Sequence, residues 1–309
     1  MASYYCCSKE QAIQCLLPAA VRSGKTKHKM RKMIHLNEDA DIAAAIQAKE
    51  TKSPKQAAVL KRMQILKTEA LYSLKNHASY AMIKNLEGEG LLVRTEEIEE
   101  RSPFKGGNIL PDQPLELTDE QAVSLKQVIA SINKEKKDII LLMGVTGSGK
   151  TEVYMQGIAE ILKKGQEAII LVPEIALTPQ TTERFRARFG DKVSVLHSHL
   201  SDGERYDEWS KIYNGTVKIA VGARSALFAP FKNVGMIIVD EEHENSYKQS
   251  EMSPRYNARD VAVMRGLKEN ATVILGSATP AIESYHNAIN GKYVMSTLNK
   301  RVDDQKMPH

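Results

Sequence analysis

Apolar residues follow two regimes along this chain. From residue 115 onward, compact apolar runs alternate with stretches whose apolar positions recur every three or four residues. The runs at 139–143, 167–172, 193–196, 217–221, 236–239 and 272–275 predict strands, and helices fall between most of them. Such runs with intervening helices predict a parallel sheet covered on both faces. The helix over 151–164 carries Val153, Ile158, Ile161 and Leu162 as core positions. Residues 37–102 are mostly helical instead. Positions 41–50 are Ala/Ile-rich, and Ser53 followed by Pro54 starts a helix that turns Ala57, Leu60, Met63 and Ile65 inward. Short helices near 69–74 and 79–87 follow, Gly88 and Gly90 stop the second, and 91–95 begins a strand. Three small helices and a strand outline a winged helix-turn-helix. A helical domain that packs only on protein fits the same pattern, and the acids Glu96, Glu97, Glu99 and Glu100 argue against a basic wing. Residues 103–114, with Pro103, Gly106, Gly107, Pro111 and Pro114, read as a linker. Residues 1–36 are short, basic and weakly periodic, the remnant of a domain. The expected organisation is thus 1–36, 37–102, linker 103–114, and an α/β lobe over 115–309.

Composition narrows the class. Of 309 residues, 42% are hydrophobic and 26% charged, values of a soluble globular protein. No 18-residue apolar run is present, so no membrane partner is expected, and the first residues lack a secretion signal. Cys6, Cys7 and Cys15 show no paired spacing. They suit a reducing cytoplasm, predict buried thiols, and imply no zinc. Charge is uneven: residues 1–110 hold 18 Lys+Arg against 12 Asp+Glu, and the remainder 25 against 26. The excess gathers at Arg22, Lys25, Lys27, Lys29, Arg31 and Lys32. Such a run reads either as a solvated flexible segment or as a patch that tracks phosphates.

The chemistry sits in two places. Gly144, Thr146, Gly147, Ser148, Gly149, Lys150 and Thr151 form a complete G-x-x-x-x-G-K-[ST] loop between a predicted strand and a predicted helix. Glycines let the backbone wrap phosphates so that several N–H groups point inward. Lys150 supplies a point charge for the β- and γ-phosphates of ATP, and the Thr151 hydroxyl a ligand for Mg²⁺. The second place is the strand at 236–239, which delivers Asp240, Glu241, Glu242 and His243 at its carboxyl end, where open α/β sheets bind ligands. Asp240 is placed to hold Mg²⁺ and Glu241 to orient and polarise a water. Lys150, Asp240 and Glu241 are therefore the expected catalytic set.

Those four residues resemble motif II of superfamily 2 helicases. Residues 171–178, 221–226 and 276–280 resemble motifs Ia, Ib and III in the right order. Residues 117–121 resemble the glutamine motif, which implies that Gln121 reads adenine. The phosphate loop with its Thr151, Glu152, Val153, Tyr154 continuation, the His197, Ser198, His199 run, and the segments after His243 are similar to the bacterial primosomal protein N′ family of replication-restart helicases. Residues 74–80 resemble that family's winged helix, so the likeness covers nearly the whole chain. It implies a RecA-like P-loop NTPase lobe preceded by a small winged-helix domain. It also implies an ATP-dependent 3′-to-5′ DNA helicase, with forked and single-stranded DNA, single-strand DNA-binding protein and primosome components as partners. The family's loop after motif II couples single-stranded DNA to hydrolysis, which implies that Tyr247, Lys248, Arg255, Tyr256 and Arg259 bind the strand, aromatic faces stacking on bases and cations tracking the backbone; without the family, the same residues read as a solvated loop with two packed tyrosines. Arg224 at a strand end suggests a further DNA-phosphate contact. Ser277 and Thr279 either cap the next helix or, as in the family, link nucleotide state to a second lobe. The family has a full DNA-end-capturing domain before this region and a second motor lobe with zinc sites and an arginine finger after it. With one lobe, the chain alone is expected to bind ATP–Mg²⁺ weakly and hydrolyse it very slowly. The competing reading is a non-catalytic module that docks on DNA or protein with vestigial nucleotide binding. A small-molecule kinase is a third, unsupported by any second-substrate lid.

Overall fold

A computed structural model describes residues 1–99, 101 and 110–302. The chain forms two compact units, one of Lys27–Arg101 and one of Met1–Thr26 together with the chain from Ser102 onward. The boundary expected at residue 36 is corrected: helices α1 (Lys9–Leu16) and α2 (Ala19–Arg22) belong to the larger unit, whereas β1 (Lys29–Leu36) belongs to the smaller. The expected linker lies outside the described residues over 103–109.

The smaller unit continues with α3 (Ile42–Lys52), α4 (Pro54–Leu66), β2 (Thr68–Ala70), α5 (Leu71–Leu74), α6 (Tyr80–Gly88) and β3 (Leu92–Glu99). The three strands pair antiparallel in the order β2-β1-β3 and, with the helices, build a winged-helix arrangement. Asp41 caps α3 by accepting from the Ala44 N–H, and Ser79 caps α6 by accepting from Met82. Ile34, Leu60, Met63, Leu74, Ile83 and Leu86 are fully buried, but Ile65 is exposed, a correction to its predicted inward position. The basic run is also corrected. Lys29, Arg31 and Lys32 lie on β1 opposite Glu99, Glu97 and Glu96 of β3. Lys29 Nζ is 3.0 Å from Glu99, and Lys32 Nζ 3.9 Å from Glu96. The second half of the run therefore faces acids across a strand pair, where opposite charges are favoured, whereas Arg22 and Lys25 belong to the larger unit.

The larger unit holds a seven-stranded sheet: β4 (Ile139–Gly144), β5 (Glu167–Leu171), β6 (Val193–Leu196), β7 (Ile219–Gly222), β8 (Val234–Val239), β9 (Thr272–Ser277) and β10 (Val294–Leu298). All pairings are parallel, in the order β10-β4-β9-β8-β5-β7-β6. Besides α1 and α2, its α-helices among the described residues are α7 (Asp119–Asn133), α8 (Lys150–Lys163), α9 (Pro179–Phe189), α10 (Asp202–Asn214), α11 (Ala258–Glu269) and α12 (Ile282–Ile289). Strand side chains alternate between two cores. Ile140 and Leu142 pack with Val128 of α7, Val153 and Ile158 of α8 and Phe185 of α9. Ile139 and Leu141 share the other face with Ile212 of α10, Ala262 of α11 and Ala288 of α12. The apolar runs are unbroken because both faces of each central strand are buried. Strand β10 escaped the sequence pattern: it is an edge strand with mixed polarity, and its buried Ser296 bonds to Ser124 of α7 at 2.7 Å. The cysteines are corrected too: Cys6 is exposed, Cys7 and Cys15 half-buried, and all three are free. No described helix is long and apolar enough to cross a membrane.

Candidate active site

Strand β4 ends at Gly144 and α8 begins at Lys150, so the intervening loop lies at the carboxyl edge of the sheet. Gly147 and Gly149 adopt φ of +83° and +78°, a region that costs other residues but not glycine. A Cβ on Gly149 would also run into the Gln121 amide. The buried Lys150 ammonium donates to the Gly144 carbonyl at 2.8 Å and lies 3.5 Å from Glu241 Oε1. One cleft of about 400 Å³ is lined by the loop, Lys150, Thr151, Gln121, Asp240 and Glu241. The two predicted landmarks, 90 residues apart, thus meet. The Ser148 hydroxyl is buried without a hydrogen-bond partner among the described residues. An anionic oxygen in the cleft would satisfy it, and the inward-facing loop and Lys150 fit a polyphosphate.

Gln121 serves the scaffold as well. It forms a capping box with Thr118, and its Nε2 donates to the Ser148 carbonyl at 2.9 Å. Both ends of the carboxamide are engaged with protein, and the residue lines the cleft. Glu152, one turn into α8, receives Arg188 of α9 at 2.9 and 3.0 Å, the Leu115 N–H at 3.1 Å and Gln156 at 2.9 Å. Burial pushes the Glu152 carboxyl up, but these donors outweigh it and leave it below its ordinary value. Arg188 also holds Asp112 at 2.7 Å. The network pins Leu115 at the rim of the cleft, with its side chain exposed.

The four residues after β8 go to four destinations. Asp240 accepts from the Tyr154 hydroxyl of α8 at 3.0 Å. Burial, then the Glu241 charge, raises its carboxyl to about 6. Glu241 sits at φ +46°, which aims its carboxylate toward Lys150. The wholly buried Glu242 accepts from the Ala281 N–H at 2.6 Å and Ser284 Oγ at 2.8 Å, and faces Arg259 at 3.4 Å. It caps α12, whose own Ala281 offers no side-chain cap. His243 Nδ1 meets Ser277 Oγ at 2.7 Å, and that oxygen accepts from the Thr279 N–H at 3.0 Å. Tyr154, Glu152 and Glu242 were not singled out as site residues from the sequence. The available signal was a tyrosine four residues after Lys150, on the same helical face.

The loop set divides. Lys248 and Arg255 are exposed. Arg224 donates to the Lys248 carbonyl at 2.7 Å and lies 6.0 Å from the Tyr256 ring. Tyr247 and Tyr256 are 1% and 3% exposed, and Arg259 is 8% exposed against Glu242, Asp260 and Glu283. The expectation that these three touch a strand directly is corrected. Their rings and guanidinium are spent inside the protein, with the Tyr247 hydroxyl donating to the Asp240 carbonyl at 2.6 Å. Beside them lies a cleft of about 600 Å³ bordered by Arg224, Arg205, Trp209 and His197.

A parallel sheet with a glycine-rich loop at its carboxyl edge, facing an Asp-Glu pair across one cleft, is the arrangement of a RecA-like P-loop NTPase lobe. The DEAD/DEAH box helicase family matches residues 119–288, and the chain belongs to it. Among individual proteins, it is 45% identical over 291 residues to replication restart protein PriA of Bacillus subtilis, covering 92% of this chain and 36% of that protein. Its counterpart in Chlamydia pneumoniae is 43% identical over 307 residues, covering 97% and 41%. The chain thus spans well under half the length of these relatives. Of solved structures, that of RecG bound to a three-way DNA junction is 24% identical over 63% of this chain and 25% of that one, with a TM-score of 0.46.

Proposed function

We propose that the chain is the nucleotide-binding motor lobe, with its winged-helix unit, of an ATP-dependent 3′-to-5′ DNA helicase of replication restart. The observation that carries this is the single cleft shared by the phosphate loop and the Asp240–Glu241 pair. The family and the PriA relatives support the restart role.

In this reading the loop N–H groups and Lys150 hold the phosphates, and Gln121 ties the base side to the loop. Thr151 and Asp240 hold Mg²⁺, which offsets phosphate charge when bound. Glu241 orients the attacking water and takes its proton. The exposed Lys248 and Arg255, with the half-buried Arg224 beside them, support a path for a DNA backbone, since accessible cations track phosphates. Tyr247, Tyr256 and Arg259 act from beneath, as the packed scaffold that joins this path to Asp240 and Glu242. Forked and single-stranded DNA, single-strand DNA-binding protein and primosome components are the proposed partners, in the cytoplasm. Among the described residues every cleft-facing group comes from one lobe, and an arginine supplied from outside is worth about 10³–10⁵ in rate in such enzymes. The 309-residue chain by itself therefore binds ATP–Mg²⁺ and turns it over very slowly.

Calorimetric titration of ATP with Mg²⁺ tests the assignment. Lys150→Ala should abolish binding while the thermal transition persists. Unchanged binding removes the assignment, and DNA-stimulated turnover near 10 s⁻¹, roughly the median for enzymes, would overturn the slow single-lobe reading.

A further inference from the structure

Helix α9 presents two arginines one turn apart, and they have opposite fates. Arg188 is locked by Glu152 and Asp112. Arg184 is exposed, lines the nucleotide cleft, and has no hydrogen-bond or ion-pair partner among the described residues. The locked residue orients the free one, because residues four apart share a helical face. Besides Arg184, Lys150 is the sole cation among the cleft's described lining residues, against Glu116, Glu152, Asp240 and Glu241. Lys150 already faces Glu241 at 3.5 Å. A polyphosphate entering the cleft therefore needs a second positive group.

Which end of a nucleotide Arg184 meets follows from a smaller adjoining cavity of about 220 Å³. Arg184 lines it together with Thr151, Tyr154 and Asp240, the residues on the metal side of the site, whereas Leu115, Gln121 and the loop with Lys150 line only the larger cleft, so Arg184 approaches from the side opposite Gln121 where the metal-bound phosphates would lie. We infer that Arg184 is a second phosphate-binding cation of this site, contacting the nucleotide's phosphates from α9, with the Arg188–Glu152–Asp112 network holding that helix in place. The inference rests on the nucleotide-site reading above. A guanidinium presents a fork of donors that suits phosphate oxygens.

The test is titration of the full chain with ATP–Mg²⁺, ADP–Mg²⁺ and adenosine, comparing wild type with Arg184→Gln, Arg184→Lys and Lys150→Ala. Arg184→Gln should raise the Kd for ATP about tenfold, the scale of one charge-assisted contact. It should leave adenosine binding and the melting temperature unchanged, since the side chain is exposed and unpartnered. Arg184→Lys should recover most of the loss. An ATP Kd within twofold of wild type for Arg184→Gln, where Lys150→Ala abolishes binding, overturns the inference alone. Equal losses for ATP and adenosine place Arg184 on the base and also overturn it. If Lys150→Ala changes nothing, the site reading itself falls, and this inference with it.

Discussion

The contact between Tyr154 and Asp240 gives the sharpest handle on the site. Gly276 of β9 lies directly against it. A Cβ there would fall on the Tyr154 hydroxyl, 2.9 Å from Cζ and 3.4 Å from Asp240 Oδ1. Tyr154 is 1% exposed, and its ring can leave Gly276 only by shifting α8 or by moving into the small cavity it lines with Thr151 and Asp240, either of which disturbs its contact with Asp240. Gly276→Ala therefore combines two costs. Overpacking of a tight core costs about 1–3 kcal/mol. Loss of the Tyr154 hydrogen bond to a carboxylate costs about 1.5–3 kcal/mol. The expected total is about 2.5–6 kcal/mol, or roughly 10 °C in Tm for a unit of this size. Tyr154→Phe alone pays only the hydrogen bond, and it removes the atom that clashes. The double variant should therefore be less destabilised than the sum of the singles by at least about 1 kcal/mol. Urea denaturation of the four proteins, each also titrated with ADP–Mg²⁺, reads both effects. A Gly276→Ala protein within about 0.5 kcal/mol of wild type, below the usual scale of core overpacking, would refute the reasoning, as would strict additivity.

Two further outcomes follow from the same strand end. Glu242→Ala strips the cap from α12 and leaves Arg259 without its buried partner, a change expected to cost about 3 kcal/mol in chemical denaturation. A loss under about 1 kcal/mol, the scale of an exposed ion pair, would show that the buried carboxylate is not a structural anchor. Asp240, raised to about 6, carries the opposite sign. Its folded form holds a proton more tightly than the unfolded chain, so stability is greatest at low pH and falls as pH rises from about 4 to about 6. A shift of about two units corresponds to up to about 3 kcal/mol. Asp240→Asn should therefore stabilise the metal-free protein by about 2 kcal/mol at pH 7.5, the gain shrinking as pH is lowered toward 4. Melts in chelator that show the same gain at both pH values would count against the burial argument.

Much of this molecule is written locally. The apolar runs of β4, β5 and β8, buried on both faces, and the strand, glycine loop and helix around Lys150 depend on neighbours within a few residues, so their spacing alone located the lobe and the expected site. The small unit's helices were legible for the same reason, through the Ala/Ile-rich stretch at 41–50, the Ser53–Pro54 start and the glycines at 88 and 90. What depends on distant partners was not. The second half of the basic run, Lys29 to Lys32, became part of a paired strand because β3 supplies the acids opposite it. Tyr247, Tyr256 and Arg259 read as strand-touching residues but turn into the core, because the segment after Asp240 folds back onto β8 and α12. Periodicity records how often a side chain is buried, whereas the identity of its partner is settled only when the topology brings remote strands and helices side by side.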